Sequence, residues 1–140
     1  WVAAVGAETL CRCIEEIAAG RAVPTPQDHE KATLAPPLTK EMARFAFEQP
    51  AQVIHDQVRG MNPWPAAYFE CGGKKVKVLD SRVHPGEEAA PGTVLSTRPL
   101  VVQCGASALE LCQVVPEGKK PMEGTAWAAG RRLKAGMPVV

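Results

Sequence analysis

The chain has 140 residues, of which 46% are hydrophobic and 22% are charged, a composition that is ordinary for a globular protein of about one domain. No apolar run approaches the roughly 20 residues that a membrane-spanning helix needs, and the first residues do not have the pattern of a signal peptide. The net charge of +1 is unevenly distributed: residues 1–56 hold five Lys and Arg against eight Asp and Glu, a balance of −3, and residues 57–140 hold eleven against seven, a balance of +4. The basic excess favours an anionic partner for the second half, and the alternative is an ordinary solvated surface.

The first segment has apolar residues at helical spacing, from Leu10 to Ile17, and Gly20 followed by two prolines stops the pattern. We therefore predict a helix that ends near Ala19. Because the chain lacks a starting methionine and begins inside this helical pattern, we interpret it as a piece of a longer protein. Residues 21–38 contain four prolines and little periodicity, which predicts an extended linker.

A second helix is predicted over residues 50–60. Pro50 is suited to the start of a helix, and an apolar stripe runs from Ala51 to Met61. The sequence NPWP then ends the helix and holds Trp64 in a rigid corner. We interpret Trp64 as a packing residue at the end of a barrel or at a domain seam, and base stacking is the alternative.

Short strands follow this corner. AAYFEC and KVKVLDSRV flank Gly72-Gly73, and LVVQC and ALELCQVV flank Gly105, so two hairpins are predicted. With VLSTR between them, five or so strands indicate a small barrel. PEGKKPM is then interpreted as a loop, EGTAWAAGRRL as a short closing helix weakened by its glycines, and KAGMPVV as a tail.

No catalytic constellation stands out in the sequence. It contains no glycine-rich phosphate loop, no nucleophile elbow and no metal-ligand spacing, and the three histidines are scattered. The five cysteines are an odd number without a CxxC pair, so free thiols and a reducing, cytoplasmic location are expected. We predict no catalytic, cofactor-binding or metal-binding residue in this chain.

The remaining signal is basic. Lysines and arginines at the predicted first hairpin, in the Gly/Pro loop and after the last helix are free to reach phosphates. The candidate nucleic-acid-binding residues at these places are Lys74, Lys75, Lys77, Lys119, Lys120, Arg131 and Arg132. The alternative is that they protect strand edges and keep the surface hydrated.

Several motifs occur in a familiar order: GAETLCRCIEEIAAG, PQDHEKATLAPPLTKEMARF, VRGMNPWPAAY, KKVKV, APGTVL, LELCQVVPEGKKPM and GRRLKAG. Together they resemble the C-terminal part of methionyl-tRNA formyltransferase over essentially all of the chain. Some positions depart from the family pattern, among them Leu34 and Pro37 in the linker and Gly124 in the last helix, where better helix formers are usual.

The resemblance implies an enzyme that transfers a formyl group from 10-formyltetrahydrofolate to the amino group of methionyl-initiator tRNA. Its catalytic Asn, His and Asp belong to a Rossmann-like N-terminal domain that this chain lacks. Residues 1–20 are then the last helix of that domain, 21–37 the interdomain linker, and 38–140 an α+β, mainly β domain: an open Greek-key, OB-like barrel with a leading helix.

The resemblance also implies that the barrel holds the tRNA, with Lys40 and Arg59 added to the candidate contacts and Arg131 the strongest of them. The expected partners are initiator tRNA and the catalytic domain of the same protein, which is expected to be a cytoplasmic monomer. The piece alone is expected to be inactive, with 10-formyltetrahydrofolate a co-substrate of the parent enzyme only. The alternatives are the C-terminal domain of an amino-sugar or folate formyltransferase, and a purely structural module.

Overall fold

The computed structural model describes residues 1–140. The chain forms two compact units, Trp1–Pro36 and Pro37–Val140. The first unit contains helix α1, Val2–Ala18, followed by extended chain with a single turn of 3-10 helix at His29–Lys31. Helix α1 ends where the sequence predicts, but none of its residues is buried within this chain. No helix of the structure has the length and apolar content to cross a membrane. The domain roles predicted for 1–20, 21–37 and 38–140 stay predictions.

The second unit is mainly β. Its elements in chain order are a 3-10 turn Glu41–Ala43, α2 Ala51–Met61, β1 Tyr68–Cys71, β2 Lys74–His84, β3 Val94–Thr97, β4 Leu100–Gln103, β5 Ala108–Pro116, β6 Met122–Glu123 and α3 Gly124–Gly130. The predicted second helix, the strands on either side of each predicted turn and the closing helix are therefore confirmed.

All strand pairs are antiparallel, and the sheet has the order β1-β2-β5-β4-β3. Strands β1 and β2 form the hairpin predicted at Gly72-Gly73, and β4 and β5 form the one predicted at Gly105. Strand β4 pairs with the first residues of β5, and β6 pairs with Gln113 and Val114 farther along the same strand. The fold is α+β with an open antiparallel sheet, and the more specific OB-like Greek-key assignment stays a prediction.

The core lies between the sheet and its two helices. Helix α2 buries Ala51, Ile54 and Val58 and packs on β2 and β5. This stripe follows the helical spacing seen in the sequence. An aromatic cluster completes the core, with ring centroids 5.2–5.8 Å apart between neighbours: Phe45, Phe47, Phe69 and Trp127.

Two segments differ from the sequence-based prediction. Met122, which ends the segment interpreted as a loop, forms strand β6 together with Glu123, the first residue of the predicted closing helix. The segment interpreted as a tail contributes to the core, because Val139 is 1% exposed and its amide donates to the carbonyl of Gly92 at 2.9 Å. Both segments are too short to show a periodic pattern. Strand β6 is ordered by pairing with β5, eight to ten positions earlier, and Val139 by its bond to Gly92, 47 positions earlier.

Candidate nucleic-acid interface

The first hairpin and the end of the last helix lie side by side. Gly72 occupies the β1–β2 turn with φ +58°, and a Cβ built on it would lie 3.7 Å from Nη2 of Arg131. Arg131 follows helix α3 directly and its amide donates to the carbonyl of Trp127 at 3.0 Å, which extends the last helical turn. Residues about 60 positions apart in the chain are thus brought to one surface by the fold.

An open cavity of about 470 Å³ lies between these elements. Four of the nine candidate residues line it: Lys74, Lys75, Lys119 and Arg131. The other lining side chains are largely apolar and include Cys71, Val76, Met122 and Trp127. The cavity therefore has cationic groups together with an apolar lining.

A second cavity of about 300 Å³ shares Lys75, Glu117 and Lys119 with the first and adds Lys77. The two cavities therefore adjoin along the start of β2 and the turn that follows β5. We call the surface formed by Lys74, Lys75, Lys77, Lys119 and Arg131 the cationic groove.

Aromatic rings contact two of these cations. The Nζ of Lys75 lies 4.7 Å from the ring centroid of Tyr68, and the guanidinium carbon of Arg131 lies 5.9 Å from that of Trp127. A cation over an aromatic face is attracted by the negative face of the ring, which restricts the side chain without neutralising its charge. Lys75 and Arg131 are therefore partly preorganised and remain available to an anion.

The cations of the groove are exposed and have no acidic partner within 4.0 Å. The five ion pairs of the structure all involve other basic residues: Arg21, Lys31, Arg44, Arg59 and His84. Unpaired charges of one sign lining a concavity focus the electrostatic potential there. The groove is therefore electropositive, with Glu117 as the acidic residue that lines both cavities.

The remaining candidates are placed differently. Lys120 and Arg132 are exposed neighbours of Lys119 and Arg131 in the chain but line neither cavity. Lys40 precedes Glu41, whose pKa is lowered mainly by a hydrogen bond from its own backbone amide, with smaller contributions that include the charges of Lys40 and Lys75. Lys40 itself lines neither cavity.

Arg59 lies apart from the groove on helix α2, where its guanidinium forms an ion pair with Asp56 at 3.4 Å. The fold therefore brings together five of the nine candidate residues and places Arg59 elsewhere. Which of the nine contact RNA stays a prediction.

Sequence reasoning missed Glu117 and the apolar lining of the groove. One signal for Trp127 was present, because it precedes Arg131 by four residues and so lies on the same helical face. Glu117 had no such signal, since its contact with Lys75 spans 42 positions of the chain.

Trp64 does not pack against the end of the sheet within this chain, and its packing at a domain seam stays a prediction. It is 58% exposed, and it lines neither of the two cavities. The corner that carries it is nevertheless ordered, because the side-chain amide of Asn62 donates to the carbonyl of Leu79 at 3.0 Å. The indole is presented on the surface of this chain.

Residues 37–132 match the family described as "Formyl transferase, C-terminal domain". The chain is 44% identical over 133 residues to methionyl-tRNA formyltransferase of Solibacter usitatus, which covers 94% of this chain and 43% of the relative. The enzyme of the same name from Sorangium cellulosum is 42% identical over 135 residues, covering 93% and 42%. The chain thus spans less than half the length of these curated relatives.

Among solved structures, HypX from Aquifex aeolicus superimposes with a TM-score of 0.58 at 21% sequence identity, covering 94% of this chain and 24% of HypX. A structure of HypX with tetrahydrofolic acid gives a TM-score of 0.57 at 18% identity, covering 86% and 22%. At this level of identity the likeness concerns the fold alone.

Proposed function

The chain belongs to the formyl transferase C-terminal domain family, and from this premise we propose that it is the part of a methionyl-tRNA formyltransferase that holds the tRNA. The resemblance seen in the sequence is confirmed by the family match and by the relatives. The activity belongs to the longer protein: transfer of a formyl group from 10-formyltetrahydrofolate to methionyl-initiator tRNA. In this proposal the piece, inactive by itself, is joined to a catalytic domain in a cytoplasmic monomer, with residues 1–20, 21–37 and 38–140 in the roles given above.

One observation carries the proposal: cations from three separate segments of the chain line one groove and lack acidic partners. The segments are the start of β2, the turn after β5 and the end of α3. A tRNA is a dense polyanion, and phosphate contacts of this kind fix its register without reading its sequence. Holding the acceptor end in place converts an encounter of two molecules into a nearly intramolecular reaction. The groove would therefore contribute orientation rather than proton transfer.

A salt titration of tRNA binding tests the proposal. Each phosphate contact contributes a slope of about −0.7 to −0.9 to the logarithm of affinity against the logarithm of salt concentration. We expect Lys75→Ala and Arg131→Ala each to reduce the magnitude of the slope by about this amount and to weaken binding to all tRNA species similarly. The measurement is fluorescence anisotropy with labelled initiator tRNA between about 50 and 200 mM salt.

Arg98→Ala is the matched control, because Arg98 is exposed, carries the same charge and lines neither cavity. Its slope should equal that of the unmodified chain. A salt slope near zero for the unmodified chain would contradict the proposal, and so would equal reductions of the slope in Arg98→Ala and Arg131→Ala. Either result would favour a structural module with a solvated basic surface.

A further inference from the structure

Glu117 connects the two lysine-bearing segments of the cationic groove. Its amide donates to the carbonyl of Lys75 at 2.9 Å, and one of its carboxylate oxygens, Oε2, accepts from the amide of Lys75 at 3.2 Å. The pair of bonds is reciprocal, and it extends the β2–β5 ladder one residue beyond the Val76–Pro116 pair. The start of β2 and the turn after β5 are thereby held in one register.

The turn itself is closed next to this contact. The amide of Lys119 donates to the carbonyl of Pro116 at 3.0 Å, and Gly118 between them has φ +71°. The position of Lys119 relative to Lys75 therefore depends on residues 116–118. Glu117 is the member of this turn whose side chain reaches back to β2.

The charge of Glu117 opposes the ligand that the groove is proposed to bind. Glu117 lines both cavities and has no Lys or Arg within ion-pair distance, so its carboxylate is bonded to a backbone amide rather than to a lysine. A carboxylate among phosphate-binding cations repels a polyanion, because like charges brought together at an interface are unfavourable. If charge alone mattered, therefore, a chain with any neutral residue at position 117 should bind tRNA more tightly than the unmodified chain.

We propose that Glu117 is a positioning residue: its carboxylate holds the start of β2 against the 116–119 turn and thereby sets the spacing of Lys75 and Lys119 for a polyanion. The inference rests on the proposed function for its ligand. The contact between the Glu117 carboxylate and the Lys75 amide, which we call the brace, is a property of the free protein. A charged side chain is not required for this role. An uncharged side chain with an oxygen acceptor at the same reach would hold the same amide.

Two substitutions separate position from charge, because both remove the negative charge and only one keeps the acceptor. Glu117→Gln retains a side-chain oxygen that can accept from the Lys75 amide, whereas Glu117→Ala does not. We expect Glu117→Gln to bind labelled initiator tRNA at least as tightly as the unmodified chain. Glu117→Ala should bind about 2- to 10-fold more weakly than Glu117→Gln at the same salt concentration, the range expected for loss of one hydrogen bond.

Amide hydrogen exchange in the absence of RNA gives the second readout. The amide of Lys75 should exchange faster in Glu117→Ala than in Glu117→Gln, while the amide of Val78, which donates to the carbonyl of Ala67 at 2.8 Å, should be unchanged in both. Because Glu117 is exposed and lies in a turn, both variants are expected to melt close to the unmodified chain.

Equal tRNA affinities and equal exchange rates of the Lys75 amide in Glu117→Gln and Glu117→Ala would overturn the inference. The charge of Glu117 would then account for all of its influence on tRNA binding. If Lys75→Ala still lowers the salt slope in that case, the proposed function stands without it. If tRNA binding shows no salt slope but Lys75 exchange still separates the variants, the brace exists and the proposed ligand is wrong.

Discussion

Trp64 and Trp127 occupy opposite environments although both lie beside proline- or glycine-rich sequence. Trp127 is 5% exposed and its ring meets that of Phe69 edge to face at 5.8 Å, whereas Trp64 is 58% exposed. Burial of a large aromatic side chain contributes far more to stability than its presence on the surface. The two residues are therefore a matched pair for separating a core role from a surface role.

We expect Trp127→Ala to lower the free energy of unfolding by about 3–5 kcal/mol, since it removes a buried aromatic side chain and leaves a cavity. Trp64→Ala should change it by no more than about 0.5 kcal/mol, as is usual for surface positions. Urea denaturation followed by circular dichroism measures both. If Trp64→Ala instead lowers the free energy of unfolding by about 2 kcal/mol or more, as loss of a buried large side chain does, packing against the end of the sheet would be supported. Unchanged stability with weakened tRNA binding would instead favour base stacking.

Cys104 gives the chain a predictable response to alkali. It is 1% exposed, and burial raises its pKa from an ordinary value of 9.0 to about 12, while a backbone hydrogen bond from Leu109 acts in the opposite direction. Between these two values the unfolded chain loses a proton that the folded chain keeps. The contribution of Cys104 to the free energy of unfolding is therefore fully present below pH 9, and it falls as the pH rises toward 12.

We expect the free energy of unfolding to fall more steeply with pH above about pH 9 in the unmodified chain than in Cys104→Ala. The difference between the two slopes should correspond to the release of up to about one additional proton on unfolding. The alanine variant cannot ionise at this position, so lysine and tyrosine titrations cancel in the comparison. Urea denaturation at intervals from pH 7 to pH 10.5 measures the difference. Parallel profiles for the two chains would show that the thiol ionises equally in both states.

Helix α3 owes its position to a close approach of two backbones. A Cβ on Gly124 would overlap the carbonyl oxygen of Leu111 and would lie 3.5 Å from the Cβ of Leu100. In the sequence, Gly124 is a departure from better helix formers that weakens α3. The structure shows its reason, because only a residue without a side chain allows the helix to start against β5.

Gly124→Ala should destabilise the chain by about 1–3 kcal/mol, the usual cost of overpacking a well-packed site. Gly130 is the control within the same helix: a Cβ there meets no atom within 4 Å, and Gly130→Ala should be neutral or stabilise by up to about 1 kcal/mol. Thermal denaturation of both variants measures the contrast. Equal melting temperatures would show that α3 moves freely to accept a side chain at position 124.

The two units of the chain differ in how much of each is buried. Within Trp1–Pro36 every residue except Glu16 is exposed, whereas Pro37–Val140 contains the core. Proteases cut segments that are extended or open locally at little cost in free energy. The first unit should therefore be far more sensitive to proteolysis than the second.

We expect limited trypsin digestion to cut after Arg21 or Lys31 before it cuts within residues 41–140, leaving a resistant product that contains the complete sheet. Lys31 and Arg21 have side chains that are 84% and 63% exposed. Mass spectrometry of the products over time identifies the sites. Early cutting after Lys119, in the exposed turn of the groove, would contradict the expected order and would also argue against a well-held turn.

Local patterns in the sequence determined the helices and both hairpins. The apolar stripe of α2 and the turn residues Gly72-Gly73 act within a few positions of each other, so their consequences are visible without a fold. The basic residues at the first hairpin and the turn after β5 were likewise identifiable as candidates. Their sequence did not indicate which of them share a surface.

Only the tertiary structure decided the groove, the core role of Val139 and the exposure of Trp64. Lys75 and Lys119 meet because β2 pairs with β5, Arg131 joins them because α3 starts against β5 at Gly124, and Val139 is buried by bonding to Gly92. Lys75 lies 44 positions from Lys119 and Val139 lies 47 positions from Gly92, and the place of Arg131 beside the lysines depends on where β5 holds α3. Short-range preferences cannot specify such contacts, because their free energy is gained only when distant segments already pack together.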